Sequence, residues 1–478
     1  KGAIQGAGLF PFAISIVLFS LFIDRIGYGK IMIFAWLGHV CGTILMIFSK
    51  NFEMLYAGTL ILALANGAIE AVVNPVTATL FPTKKTHYLN ILHAGWPGGL
   101  VLAGIIAIAM GHLDWRWKCA LVLIPTVIYG VLLLGQRFPV QERVAAGVSY
   151  RDMMREFGAA GCLILTYFLV QALLTVASVF LPPHVVASTG FEHLSTWLPP
   201  VIAVLTALPF WAAYRSFGRP MFVFMLLIMI LLATTELGVD SWVTDLMTPV
   251  FGAHAGWILV YTSAIMFVLR FFAGPLIHKI NPLGLLLVGS ATACIGLVSL
   301  SFAGGAVALV FVAATLYGCG KSYFWPTTLG IVSEQFPKGG ALTLNAMGGM
   351  GMIAVGVLGG PMLGAFLDHN VDRQLQRTDP VVHSMVVNPQ PVTAYGMTHY
   401  TIDETKVEAL PKAQQAEIQD VLAKVKQGSL RYIAILPATM FVCYLMLVFY
   451  FLSKGGYKVQ HLMSGEEASG GVAGPVQA

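Results

Sequence analysis

Apolar runs of roughly 18 to 25 residues, parted by short polar turns, recur along almost the whole chain. In lipid the backbone has no water to bond, so such runs satisfy their N–H and C=O groups only as helices. Hydrophobic residues make up 57% of the 478 and charged residues 10%, and a mean hydropathy of +0.79 excludes a chain that dissolves as one globule. The expected class is an all-α polytopic membrane protein. Spans are expected near 3 to 23, 31 to 49, 54 to 81, 88 to 111, 116 to 135, 158 to 181, 197 to 214, 220 to 247, 256 to 277, 283 to 302, 305 to 333, 340 to 367 and 430 to 453, about thirteen helices. The first run has neither a basic leader nor a small-residue cleavage site, so it reads as a spanning helix and not a signal peptide.

Lysines and arginines in the short loops set the topology. Arg25 and Lys30, Lys84 and Lys85, Arg137, Arg143, Arg151 and Arg155, Arg215 and Arg219, Lys279, Lys338, and Lys454 with Lys458 all fall on alternate loops. Those loops are expected in the cytoplasm, in the cell (inner) membrane. Residue 1 then lies outside, which predicts one further helix upstream and about fourteen in all. The one long connection, from Asp368 to Ser429, holds several acidic residues and an amphipathic run, Ile418, Val421, Leu422 and Val425. It reads as a small helical cap on the outside. The expected plan is an N-terminal helical half (1–136), a basic cytoplasmic linker (137–157), two inserted helices (158–219), a C-terminal half (220–367), an extracytoplasmic loop (368–428), a last helix (429–454) and a cytoplasmic tail (455–478).

The two halves echo each other. Setting Asn74-Pro75 against Trp325-Pro326 brings Gly67 onto Gly318, Glu70 onto Lys321 and Thr77 onto Thr328. Further on, Phe81-Pro82 and Phe336-Pro337 precede Leu89-Asn90 and Leu344-Asn345 at equal distance, in a register four residues away, about one helical turn. A third echo sets Ile23-Asp24-Arg25-Ile26 on Ile277-His278-Lys279-Ile280. Three landmarks in one order make the chain two parallel repeats with two helices inserted between them.

These residues resemble the major facilitator superfamily. Ser20-Leu-Phe-Ile-Asp24-Arg25-Ile-Gly27-Tyr-Gly-Lys30 is similar to that family's loop signature, with serine in place of its first glycine. Gly274-Pro-Leu-Ile-His278-Lys279 is similar to the second-half copy, with histidine replacing aspartate. More narrowly, Gly67-Ala-Ile-Glu70-Ala-Val-Val-Asn74-Pro75 resembles the fourth-helix motif of the fucose permease branch, although the two extra central helices depart from that branch's twelve. The resemblance implies a two-half helical bundle that transports a sugar together with protons.

Several side chains stand out on their own chemistry. Glu70 lies about sixteen residues into its expected helix, where an uncompensated carboxylate costs several kcal/mol and taking up a proton removes that cost. It is a candidate coupling group; the alternative is a static ion pair. Lys321, its counterpart in the other repeat, is the expected electrostatic partner across a shared aqueous cavity and a candidate substrate ligand. Glu236 and Asp240 are spaced to share a helix face and are further proton-coupling candidates, expected to point inward. Asp245 reads as reaching the outer headgroups. Arg270, eight residues before His278, reads as structural, snorkelling to the near surface. Asn74, His93, Trp96, Trp242, Tyr323 and Trp325 are candidate substrate contacts, since aromatic rings stack on sugar faces and amides bond hydroxyls; for each, plain packing is the alternative. Asn90 and Asn345 read as substrate contacts or as helix caps.

Six cysteines, Cys41, Cys119, Cys162, Cys294, Cys319 and Cys443, are spaced irregularly within apolar spans, which implies free thiols and no metal site. No phosphate loop, HExxH or GxSxG is present, so neither an enzyme nor a cofactor is expected. A net charge of +5 in so large a chain points to no nucleic-acid partner. The expected function is secondary active transport, a proton-coupled symport of a small polar solute such as a sugar, by a monomer in the lipid bilayer. An organic-anion transporter with Lys321 as ligand, or a membrane sensor that transports nothing, are the alternatives.

Overall fold

The computed structural model describes residues 2–186, 188–303 and 306–462, so the expected tail lies outside the described residues beyond position 462. Among the described residues, twelve helices are long and apolar enough to span a membrane, and the shorter apolar helix Gly256–Arg270 is a thirteenth.

The chain crosses back and forth. In the first half, α1 (Gly2–Ile26), α2 (Tyr28–Ile47) and α3 (Phe52–Leu80) pack together, followed by α4 (Lys85–His93), α5 (Gly95–Ala109), α6 (Trp115–Ala120) and α7 (Leu123–Leu133). Gly27, at φ 88°, makes the one-residue turn from α1 to α2 that a side chain would strain. A short α8 (Glu142–Ala145) leads to the pair α9 (Tyr150–Phe180) and α11 (Thr189–Tyr214), joined through α10 (Pro183–Val186). Helix α9 begins inside the expected linker because Ser149 caps it, its hydroxyl accepting from Asp152 N at 3.1 Å. Its kink at Gly158 (φ 70°) nests on Gly218, where a Cβ would meet backbone at 2.0 Å.

The second half starts with α12 (Pro220–Ala233), a π-helical turn at Thr234–Gly238 and α13 (Val239–Phe251). It continues through α14 (Gly256–Arg270), α15 (Ala273–Phe302), α16 (Val307–Lys321), α17 (Phe324–Gln335), α18 (Gly340–Ala354), a second π turn at Val355–Gly359, and α19 (Gly360–Thr378). Five spans are broken at a fixed distance before a proline: at Ala94, Val122, Phe272, Tyr323 and Ala434, each three residues ahead of Pro97, Pro125, Pro275, Pro326 and Pro437. A proline has no N–H for the carbonyl four residues back, and its ring crowds that turn.

Helix α19 runs on into the cap, which comprises α20 (Pro380–Val386), a hairpin of β1 (Val392–Ala394) and β2 (Met397–His399), α21 (Glu404–Glu408) and α22 (Lys412–Ile433). The expectation of a purely helical cap is corrected by this hairpin, whose turn residues Tyr395 (φ 52°) and Gly396 (φ 77°) both take positive φ. Leu375, Val382, Val386, Ile418 and Val421 give the cap a small core of its own. The last span is α23 (Ile435–Ser453). The main core runs between the halves, with α1 against α18, α4 against α17 and α5 against α14. All six cysteines are free.

Candidate functional site

A cavity of about 50 Å³ lies at the seam between the halves. Glu70, His93 and Trp96 line it from the first half and Glu236, Arg270 and Trp325 from the second, with Phe12, Leu237 and Met352 as its apolar wall. That is room for a few water molecules. A sugar enters only if the halves part.

From α3, Glu70 Oε1 accepts from Asn74 Nδ2 at 2.9 Å, one turn on, and lies 3.6 Å from His93 Nε2. Asn74 Oδ1 sits 3.0 Å from the same histidine nitrogen. Glu70 is thus held by two residues of its own half, of which neither is a fixed cation, and its side chain keeps 18% exposure.

Glu236 is held differently. It stands on the first π turn, where the wider coil re-aims a side chain and such bulges gather at functional sites. Its Oε1 accepts from Arg270 Nη2 at 2.8 Å and its Oε2 from Trp325 N at 3.2 Å. Arg270 is 1% exposed and donates further to Ser322 O at 2.7 Å and to His93 O at 2.6 Å in the other half. The snorkelling expected of Arg270 is therefore corrected: this arginine lies in the seam, at the centre of the site. Two proline-freed carbonyls and one carboxylate make a pocket that a guanidinium fork fills.

Lys321 does not line the cavity. It is fully buried, forms an ion pair with Asp240 and lies 4.7 Å over the Tyr317 ring. The expected pairing of Lys321 with Glu70 is not formed, since α3 runs unbroken through Pro75 while its repeat counterpart breaks ahead of Pro326. Equivalent sequence positions therefore point in different directions. Glu236 and Asp240 both face inward, as their spacing implied, yet each meets its own cation. Trp242 packs against Gly364, and Tyr323 donates to Leu269 O at 2.9 Å beside Ala273 and Leu285, so neither reaches the cavity. The side chain of Asp245 lies outside the described ones.

At the end of the bundle that carries the basic loops, Asp24 accepts from the Arg143 guanidinium and Arg25 lies 5.5 Å over the Tyr150 ring. Lys30, His278 and Lys279 are exposed, and Gly274 abuts the His87 ring of the other half. The halves are sewn together there. Across the seam Thr86 Oγ1 donates to Glu334 at 2.5 Å and Lys85 Nζ to Ser333 O at 3.4 Å, while Lys85 also meets Glu142 of the linker at 2.5 Å and Tyr457 donates to Glu334 at 2.7 Å.

The sequence profile of the Major Facilitator Superfamily matches residues 1–237. The chain belongs to the major facilitator superfamily. Its fold is shared along nearly its full length by other members, though at low identity. The human organic anion transporter MFSD10 is 12% identical with a TM-score of 0.56, over 93% of this chain and 83% of its own. The proton:xylose symporter XylE bound to 6-bromo-6-deoxy-D-glucose is 12% identical at 0.56, over 96% and 88%. An auto-inhibited peptide transporter of the POT family is 13% identical at 0.55, over 97% and 90%. No curated protein matches the chain in sequence. Superfamily membership makes this chain a multi-pass membrane transporter, and at these identities the neighbours speak to fold alone.

Proposed function

We propose that this transporter is a proton-coupled symporter of a small polar solute, with a sugar as the favoured class, working by alternating exposure of the central cavity. One observation carries the reading: Glu70 lines the cavity with no fixed cation of its own, whereas Glu236 has Arg270 and Asp240 has Lys321. A carboxyl in that position gains and loses a proton without breaking a salt bridge, which suits a coupling group. Glu236 and Asp240 are then switches that respond through their cations. Asn74 orients Glu70, while His93, Trp96 and Trp325 supply a bonding nitrogen and aromatic faces for a polyol. The sugar class itself rests on the fourth-helix motif around Glu70. The basic-loop end is assigned to the cytoplasm by its lysines and arginines, in the cell membrane.

A second reading, an organic anion as cargo, is favoured by Arg270 in the cavity wall. Arginine rather than Lys321 would then be the ligand, and the anion would displace Glu236. Uptake into proteoliposomes across a panel of monosaccharides and carboxylates, with and without an imposed proton gradient, separates the two. Gradient-dependent sugar uptake is expected. Uptake indifferent to the gradient removes the coupling claim, and labelling of a cysteine at position 70 from one side only points to a sensor that does not transport.

A further inference from the structure

Prolines facing the seam each deprive one backbone carbonyl of its helical donor, and side chains from the facing half answer two of them. Pro97 frees the carbonyl of His93, which accepts from Arg270 Nη1 at 2.6 Å. Pro75 frees the carbonyl of Ala71, which accepts from Asn345 Nδ2 at 2.9 Å. In each case the carbonyl belongs to the first half and the donor to the second. Both donors are buried, Arg270 at 1% exposure and Asn345 at 0%. A third freed carbonyl, Ser322 O ahead of Pro326, takes Arg270 Nε at 2.7 Å within the second half and fixes the guanidinium in place.

We propose that Arg270 is the positioning residue that locks the two halves in this closed arrangement, with Asn345 as a second lock of the same kind. The chemistry is economical in its parts. An in-helix carbonyl is already paired and offers a passing side chain little, whereas a proline-freed one is an unmet acceptor that a donor from the other half satisfies only while the halves touch. Parting the halves leaves both carbonyls bare until water reaches them, so the closed seam is held by the bonds that opening must break. Arg270 adds a second connection, because the same guanidinium holds Glu236. Separation of the halves and release of Glu236 are therefore linked events at one side chain. His93 extends the link, since its carbonyl meets Arg270 while its ring stands 3.6 Å from Glu70. The inference rests on the proposed rocking of two halves, and not on the cargo or the coupling ion.

The test reads distance rather than transport. Spin labels at Lys84→Cys and Lys338→Cys, both exposed at the basic-loop end in opposite halves, report the separation in the full chain in lipid nanodiscs, with the six native cysteines replaced by alanine. Pro97→Ala supplies an N–H to the His93 carbonyl from the next turn of the same span and leaves the Arg270 and Glu236 side chains unchanged. It is expected to raise the long-distance population by about tenfold, a shift of about 1.4 kcal/mol in the equilibrium. Pro75→Ala is expected to act in the same direction on the Asn345 lock. Arg270→Lys, which keeps the charge beside Glu236 but loses the fork, is expected to match Pro97→Ala. A purely structural ion pair between Arg270 and Glu236 would not respond to Pro97→Ala. Distance distributions of Pro97→Ala and Arg270→Lys that coincide with the unsubstituted chain would overturn the lock. A shifted distribution in a protein that carries no sugar keeps the lock and sinks the cargo reading.

Discussion

At the scale of single residues, the acids of the central site divide into Glu236 and Asp240, each with a fixed cation, and Glu70, which is held by an amide and a histidine. Asp240 and Lys321 pair at 8% and 0% exposure, a geometry in which removing one member strands the other. Asp240→Asn is expected to destabilise the protein by about 3–5 kcal/mol, read as thermal unfolding in detergent, and Asp240→Asn with Lys321→Met to recover most of the loss. Glu70 was legible in the sequence because an acid so far from either helix end has to be accounted for. Its partner was not. The repeat put Lys321 opposite Glu70, but a repeat aligns positions along helix axes and says nothing of direction once a proline breaks one copy. Arg270 departs from its expected place for a related reason. Counting 256 to 277 as one span left it near the polar end, whereas the break ahead of Pro275 leaves it at the C-terminal end of α14, facing His93.

At the scale of elements, spans and prolines were legible and their consequences only in part. Length and hydropathy located thirteen helices, and each of the five breaks sits where a proline withholds a donor. The π turns at Thr234–Gly238 and Val355–Gly359 carry no comparable mark, since a local change of pitch is settled by packing. In the cap, Ile418, Val421, Leu422 and Val425 announced one helix face, and the structure supplies its partners, Leu375, Val382 and Val386. This core is separate from the main one. Ile418→Asp is therefore expected to expose the 380–411 segment to limited proteolysis by at least about tenfold, at a cost of about 2–5 kcal/mol within the cap, while the span fragments stay protected. Equal cleavage throughout the chain would show that cap and bundle fold as one unit. Asp403, whose carboxyl is held below the usual aspartate range by bonds to Thr405, caps α21. Its contribution is present above that range and lost as pH falls through the lowered value.

At the scale of the whole molecule, two helical halves meet along a seam around a small cavity lined by charged and apolar side chains. The superfamily scaffold follows from spacing, repeats and the Asp24-Arg25 loop, all readable in one dimension. Which half supplies which charge does not, because it depends on how the helices turn toward one another. The account's central claim is that Glu70 carries the coupling proton. The most direct test is the external pH of a lightly buffered suspension of proteoliposomes on addition of each sugar in the panel. The unsubstituted transporter is expected to take up protons with its cargo and turn the medium alkaline, and Glu70→Gln to abolish that signal, by at least about tenfold in rate, while still exchanging labelled for unlabelled sugar. An alkaline shift that survives in Glu70→Gln would contradict the account.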